Sequence, residues 1–180
     1  LMDYDDKGKL IFKIWDIPTN RAISTSAVQY DFKIQTGYID LLAMSHDGRF
    51  ALWSDNMTLH LCDISTGRVV RTFSGHVNRI SSIGISPDEK YVYSGSYDGT
   101  TRLWDISTGK EIAQFITFTD GEWVVITPEG YFNASPNGAK HLNVRVGSNV
   151  YSIDNFYEKF FNPVYVASVL QGKKVEAVAD

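Results

Sequence analysis

Tyr91-Val92-Tyr93-Ser94-Gly95-Ser96-Tyr97-Asp98-Gly99-Thr100-Thr101-Arg102-Leu103-Trp104-Asp105-Ile106-Ser107-Thr108-Gly109 is the stretch on which the fold turns. Its first six residues are rich in aromatic and β-branched types, which favour strand. Asp98-Gly99 is a hairpin dipeptide, because both central positions of the tightest hairpin turns need positive φ. Thr101 to Asp105 then reads as the return strand, and Ser107-Thr108-Gly109 turns the chain into Glu111-Ile112-Ala113-Gln114-Phe115. Upstream, Ile80, Ile83 and Ile85 lead into a Pro87-Asp88 turn. Four short strands separated by turn chemistry make up one antiparallel unit.

That unit recurs. Trp104-Asp105-Ile106-Ser107-Thr108-Gly109 is echoed by Cys62-Asp63-Ile64-Ser65-Thr66-Gly67 and by Trp15-Asp16-Ile17-Pro18-Thr19. Ser86-Pro87-Asp88-Glu89 is echoed by Ser45-His46-Asp47-Gly48 and Thr127-Pro128-Glu129-Gly130. The period is about forty residues, the length of a four-stranded repeat unit. Such a unit cannot bury its faces alone and must stack on neighbours.

Gly75-His76, Asp98-Gly99 and Trp104-Asp105 together resemble the signature of the WD-repeat (WD-40) family, in matching order and spacing. The resemblance implies an all-β fold, a partial β-propeller of four-stranded antiparallel blades. It also implies a buried hydrogen-bonded set within the blade: His76, Asp98, Trp104 and either Ser94 or Ser96. The expected boundaries are trailing strands of one blade at 10–25, whole blades at 35–73 and 75–116, and a degenerate blade at 121–153. In the degenerate unit Asn137-Gly138 stands for Asp98-Gly99 and 141–146 for a strand. The blade at 35–73 has Cys62 for the Trp and Asp55-Asn56 for Asp-Gly, with no Gly-His pair, so packing is expected to hold it.

The last residues, 154–180, change character. Asp154 or Asn155 is a candidate cap for a helix bearing Phe156, Phe160 and Phe161. Asn162-Pro163 ends it and opens a second helix that stops at Gly172. The aromatics either cap the end of the sheet array or bind a partner. This tail, with Trp123 and Thr127–Tyr131, resembles the segment after the repeats in certain bacterial multidomain proteins. Several of those carry a caspase-like peptidase domain, which here would lie beyond Asp180.

Function classes narrow accordingly. Lys and Arg number 17 against 21 Asp and Glu, giving a net charge of −4 with the cations scattered. No basic stripe of the kind that neutralises phosphates is visible, so nucleic acid is not the expected partner. No apolar run approaches membrane-spanning length, no signal peptide pattern opens the chain, and the single cysteine excludes an intrachain disulfide. A cytoplasmic protein and no membrane partner are the expectation. His76, Asp98 and Ser96 could be imagined as a nucleophilic triad, but no Gly-x-Ser-x-Gly element supports one and a buried structural set explains the same residues. Cys62 sits in a Trp slot and reads as a buried small hydrophobe rather than a reactive thiol. His46, Asp47, His60 and Asp63 lack metal-ligand spacing, and the acidic start at Asp3, Asp5 and Asp6 lacks the rest of a calcium loop. No glycine loop cradles phosphate.

The expectation is therefore no catalytic residue, no metal and no cofactor, and a scaffold that binds protein partners. The alternative is the regulatory propeller part of a caspase-like peptidase. The chain opens with Leu1, which reads as a cut. Missing blades would be supplied by the rest of the protein or by self-association, and the 180 residues alone are expected to be sticky or oligomeric.

Overall fold

The computed structural model describes residues 41–173 in full and the backbone of strands at residues 2–4, 10–16 and 21–27. Those first strands, β1 (Met2–Tyr4), β2 (Leu10–Asp16) and β3 (Arg21–Ala27), form a three-stranded antiparallel sheet in the order β1-β2-β3. Beyond the trailing strands expected at 10–25, β1 adds a further strand along β2.

The second sheet is a four-stranded meander: β4 (Leu41–Met44), β5 (Phe50–Asp55), β6 (Thr58–Asp63) and β7 (Arg68–Ser74). The third repeats the pattern with β8 (Ile80–Ile85), β9 (Tyr91–Ser96), β10 (Thr100–Asp105) and β11 (Glu111–Thr117). The repeated turn motifs have one physical job in both. Asp63 Oδ1 accepts Ser65 Oγ at 2.5 Å and Thr66 N–H at 3.1 Å; Asp105 Oδ1 accepts Ser107 Oγ at 2.5 Å and Thr108 N–H at 2.7 Å. Gly67 and Gly109 close these turns at φ 65° and 74°, a region that only glycine enters freely. A register shift falls at the same repeat position in all three sheets: Ile14/Trp15, Leu61/Cys62 and Leu103/Trp104. The bulge re-aims the residue that follows it, so the WD-type dipeptide marks a backbone irregularity as well as a side chain.

The two full sheets pack face to face. Leu52, Leu59, Leu61 and Phe73 from β5–β7 meet Ile80, Val92 and Trp104 from β8–β10, all essentially without solvent exposure. Burying each such side chain contributes roughly 1.5–3 kcal/mol. Arg71 crosses between the sheets, its guanidinium donating to the carbonyls of Ile106 at 3.0 Å and Ser107 at 2.5 Å.

Residues 121–153 do not form a separate four-stranded blade. β12 (Trp123–Ile126) and β13 (Phe132–Ala134) continue the third sheet outward, giving six strands in the order β13-β12-β11-β10-β9-β8. The cause is the link between β11 and β12. Asp120-Gly121 folds as a tight turn, with Phe118 N–H on Glu122 O at 2.9 Å and Gly121 at φ 86°. Between β7 and β8 a link of the same length holds Gly75-His76, and His76 is drawn into the protein interior instead. Asn137-Gly138 makes no hairpin; it leads into a 3-10 turn at Gly138–His141. β14 (Asn143–Val146) and β15 (Asn149–Ser152) form a two-stranded ribbon of their own.

The tail packs on both faces of the added strands. Ser152, rather than Asp154 or Asn155, caps the 3-10 turn at Ile153–Asn155, accepting Asp154 N–H. α1 (Tyr157–Phe160) is a single turn, and its aromatics pack with Phe132, Val124 and Ile153. α2 (Pro163–Leu170) starts with Asn162 accepting Tyr165 N–H at 2.9 Å and lays Val166 on Ala113 and Val125 of the opposite face. Asn162 N–H also bonds Phe132 O at 2.9 Å, so the tail covers part of the exposed edge of β13. The aromatics therefore cap the sheet.

Candidate interaction site and the buried set that positions it

His76 leaves the link before β8 and points inward to Ser94 on β9, Asp98 in the β9–β10 turn and, through Ser94, Trp104 on β10. His76 Nδ1 lies 2.7 Å from Asp98 Oδ2 and its Nε2 lies 2.8 Å from Ser94 Oγ. Trp104 Nε1–H donates to the same Ser94 Oγ at 2.9 Å. All groups are satisfied by one proton arrangement: indole to Ser94 oxygen, Ser94 hydroxyl to His76 Nε2, His76 Nδ1–H to Asp98. Asp98 Oδ1 accepts Thr100 N–H and Oγ1–H at 2.9 and 2.7 Å, and its Oδ2 accepts Val77 N–H at 3.1 Å. Burial acts to raise the Asp98 pKa, but the bonds from Thr100, His76 and Val77 outweigh it and hold the carboxyl well below its ordinary value.

Ser96 is not in this set. Its Oγ donates to the carbonyls of Asn78 and Arg79, both at 3.0 Å, and accepts Asp98 N–H. Gly75 packs tightly beside the set, since a Cβ there would sit 2.6 Å from the Arg102 guanidinium and 3.1 Å from the Trp104 ring.

Ser94, His76 and Asp98 have the connectivity of a nucleophilic triad. Ser94 is 0% exposed, however, and its oxygen is already engaged by the Trp104 indole, so no acyl group reaches it. Cys62 is fully buried; burial first, and Asp63 beside it second, push its thiol up to about 11. A thiol so placed is inert. Among the described residues no three His, Cys, Asp or Glu side chains converge as a metal site, and none of the helices is long and apolar enough to cross a membrane. Asp3, Asp5 and Asp6 lie where side chains are outside the described residues.

The preceding sheet holds a set that sequence reasoning missed. His60 Nε2 pairs with Asp55 Oδ2 at 3.0 Å, and His60 stacks on Trp53 with ring centroids 5.5 Å apart. Trp53 pairs across the ladder with His60, the position at which Ser94 pairs with Arg102 in the next sheet. Cys62 and Trp104 also correspond. The indole has thus moved diagonally, from the return strand to the strand before it, and Cys62 occupies the vacated slot. This sheet is held by a different polar and aromatic set, not by packing alone. The signal was present as Asp55…His60 flanking one hairpin.

The buried set fixes what lies above it. Val77 N–H is anchored on Asp98, Tyr97 N–H bonds Arg79 O at 2.9 Å, and Ile80 N–H bonds Asn56 O at 2.7 Å. These bonds tie three loops into one surface, from which Met57 (41% exposed), Val77 (78%) and Tyr97 (70%) project. At the opposite end of the strands the turns carry Ser45, Asp47, Asp88, Lys90, Ser107 and Thr108, all polar.

Residues 67–105, spanning β7 to β10, match the family model described as WD domain, G-beta repeat. This stretch is similar to a WD repeat. The chain is 31% identical over 110 residues to human WD repeat-containing protein 36, covering 61% of this chain and 12% of that protein. It is 35% identical over 115 residues to the guanine nucleotide-binding protein subunit beta of Arabidopsis thaliana, covering 61% of this chain and 29% of that one. The chain therefore spans under a third of the length of these relatives. Among solved structures, "Structure of U3-55K" covers 74% of this chain and 50% of its own, at a TM-score of 0.48 and 14% identity. Neither named relative is a peptidase by its name, so the peptidase association expected from the tail gains nothing from them.

Proposed function

We propose that this chain is a protein-binding module built of WD repeats, and that it holds its partner on the loop end bearing Met57, Val77 and Tyr97. The observation that carries the reading is the cluster of exposed apolar side chains at one strand end, on loops that a buried hydrogen-bonded set holds in place. Binding residues on loops of a rigid scaffold are the usual division of labour in such folds. Apolar groups that remain exposed on fixed loops lose little further entropy on binding. The resemblance to a protein named as a subunit, the Arabidopsis guanine nucleotide-binding protein subunit beta, agrees with a life in assemblies. On this reading the partner is protein, the chain itself catalyses nothing, and further blades come from the rest of the protein or a second copy.

The test is affinity capture from the source cell with the full-length protein and with a variant carrying Met57→Ser, Val77→Asp and Tyr97→Ser. The expected result is loss of the captured proteins at an unchanged melting temperature. An identical set of captured proteins would place binding elsewhere and overturn the assignment.

A further inference from the structure

Three turns of the repeat are superposable in their hydrogen bonding: Gly48 N–H on Ser45 O at 3.0 Å, Glu89 N–H on Ser86 O at 2.9 Å, and Gly130 N–H on Thr127 O at 2.9 Å. All three require the left-handed backbone at the last residue, φ 73°, 56° and 92°. Two use glycine. The third uses Glu89, whose Cβ makes this conformation strained. A strained residue kept where glycine serves elsewhere points to the side chain as the reason for it.

Glu89 lies on the wall of a groove of about 450 Å³ between the two full sheets, at the end opposite Met57, Val77 and Tyr97. Phe50, Tyr91 and Ile106 supply its apolar surface, and Arg49, Lys90 and Asp105 its other charges. Those charges are already matched. Arg49 bonds Asp63 at 3.3 Å and lies over the Phe50 ring at 4.7 Å, and Lys90 pairs with Asp88 at 3.4 Å. Asp105 is engaged by Ser107 and Thr108 of its own turn. Among the described residues no cation pairs with Glu89: it takes a long 3.5 Å contact from Asp47 N–H and lies beside the Asp47 carboxyl group. The groove thus offers one under-used carboxylate above an apolar floor.

We propose that this groove takes an arginine or lysine side chain from an extended segment of a partner protein. The cation meets Glu89, and the aliphatic stem lies on Phe50, Tyr91 and Ile106, the arrangement long cationic side chains favour. This site is independent of the loop end proposed above, since it uses other residues at the other end of the strands.

The probe is N-acetyl-Ala-Arg-Ala-amide, with Lys, norleucine and Glu in place of Arg, titrated into the isotope-labelled intact protein and followed by backbone amide shifts. The Arg and Lys peptides should move the amides of Glu89–Tyr91 and Ile106–Ser107, less so as salt is raised; norleucine and Glu peptides should not. Glu89→Gln, which keeps the backbone and removes the charge, should weaken binding by roughly tenfold. Glu89→Gly should weaken it equally while raising the melting temperature, because strain is released. Equal shifts from Arg and norleucine peptides, binding of the Glu peptide, or unchanged affinity in either variant would overturn the proposal. A lower melting temperature for Glu89→Gly would overturn the reasoning from strain.

Discussion

Ser94→Ala removes one oxygen from the middle of the buried set and is expected to destabilise the protein by about 2–6 kcal/mol. The figure follows from what is left behind. Trp104 Nε1–H loses its acceptor at 2.9 Å and His76 Nε2 loses its partner at 2.8 Å, in a place with no solvent to replace them. Each orphaned buried group costs roughly 1–3 kcal/mol, and the volume lost with the hydroxyl is too small to add much. Urea unfolding of the intact protein, followed by tryptophan fluorescence, measures the change as a lower midpoint at constant slope. Two comparisons isolate the cause. In a Trp104→Phe background there is no indole N–H to orphan, so the cost of Ser94→Ala should fall by about 1–2 kcal/mol. Ser96→Ala removes contacts to two carbonyls and the acceptor of Asp98 N–H at the edge of the protein, outside the buried set, and should cost about 1 kcal/mol or less. A Ser94→Ala cost below about 0.5 kcal/mol, or one undiminished in the Trp104→Phe background, would refute the idea that buried polar satisfaction is what the set contributes.

Two further outcomes are expected. Because Asp98 has a folded-state pKa held below its unfolded value, its contribution is present above about pH 4 and is lost as pH falls through the lower folded value; an acid titration of stability should therefore show wild type and Asp98→Asn converging below about pH 4. Cys62→Trp should destabilise by about 1–3 kcal/mol because Trp53 already fills that region, and adding Trp53→Ser should recover part of the loss, measured by the same urea midpoints.

The repeat was legible because it is written in turn chemistry. Asp63 and Asp105 recur with Ser, Thr and Gly behind them because one carboxylate must accept several donors from the turn it starts. His76, Asp98 and Trp104 carried the buried set for the same reason: each is a polar type that only a defined partner lets the interior hold. Choosing Ser94 over Ser96 needed the strand's facing, since β9 sends the two to the same side and only the ladder shows which lies under the indole. The expected fourth blade at 121–153 fails at the link holding Asp120-Gly121, after which β12 and β13 continue the third sheet. That dipeptide has the hairpin signal that Asp98-Gly99 has, but it lies in a link where the forty-residue repeat calls for a crossing into a new sheet. Local turn geometry prevailed over the repeat. The moved indole at Trp53 was hidden because a motif scan looks for Trp in its own column, whereas packing needs only that the volume be filled.

The added strands and α2 also decide what a further blade could do. The side of the six-stranded sheet bearing Val92 and Trp104 is buried against β5–β7. The opposite side bears Tyr93, Leu103, Ala113 and Val125 by the register of β9 to β12. A following blade of a ring would stack on that opposite side. Its outer half is taken, since α2 lays Val166 on Ala113 and Val125. Its inner half is open: Ser82, Tyr93 and Thr101 are exposed, and the Tyr93 ring lies on Gly84 so closely that a Cβ there would be 2.2 Å away. Blades of a ring diverge as they run outward, so a helix wedged between outer strands is compatible with close contact between inner ones. Under the proposal that other blades complete a ring, whether from the same protein or a second copy, they meet this chain across β8, β9 and β10 over small side chains, Leu103 and Tyr93. Tyr93→Ala should then weaken assembly without unfolding the blade, because the ring it removes is half exposed and lies over Gly84.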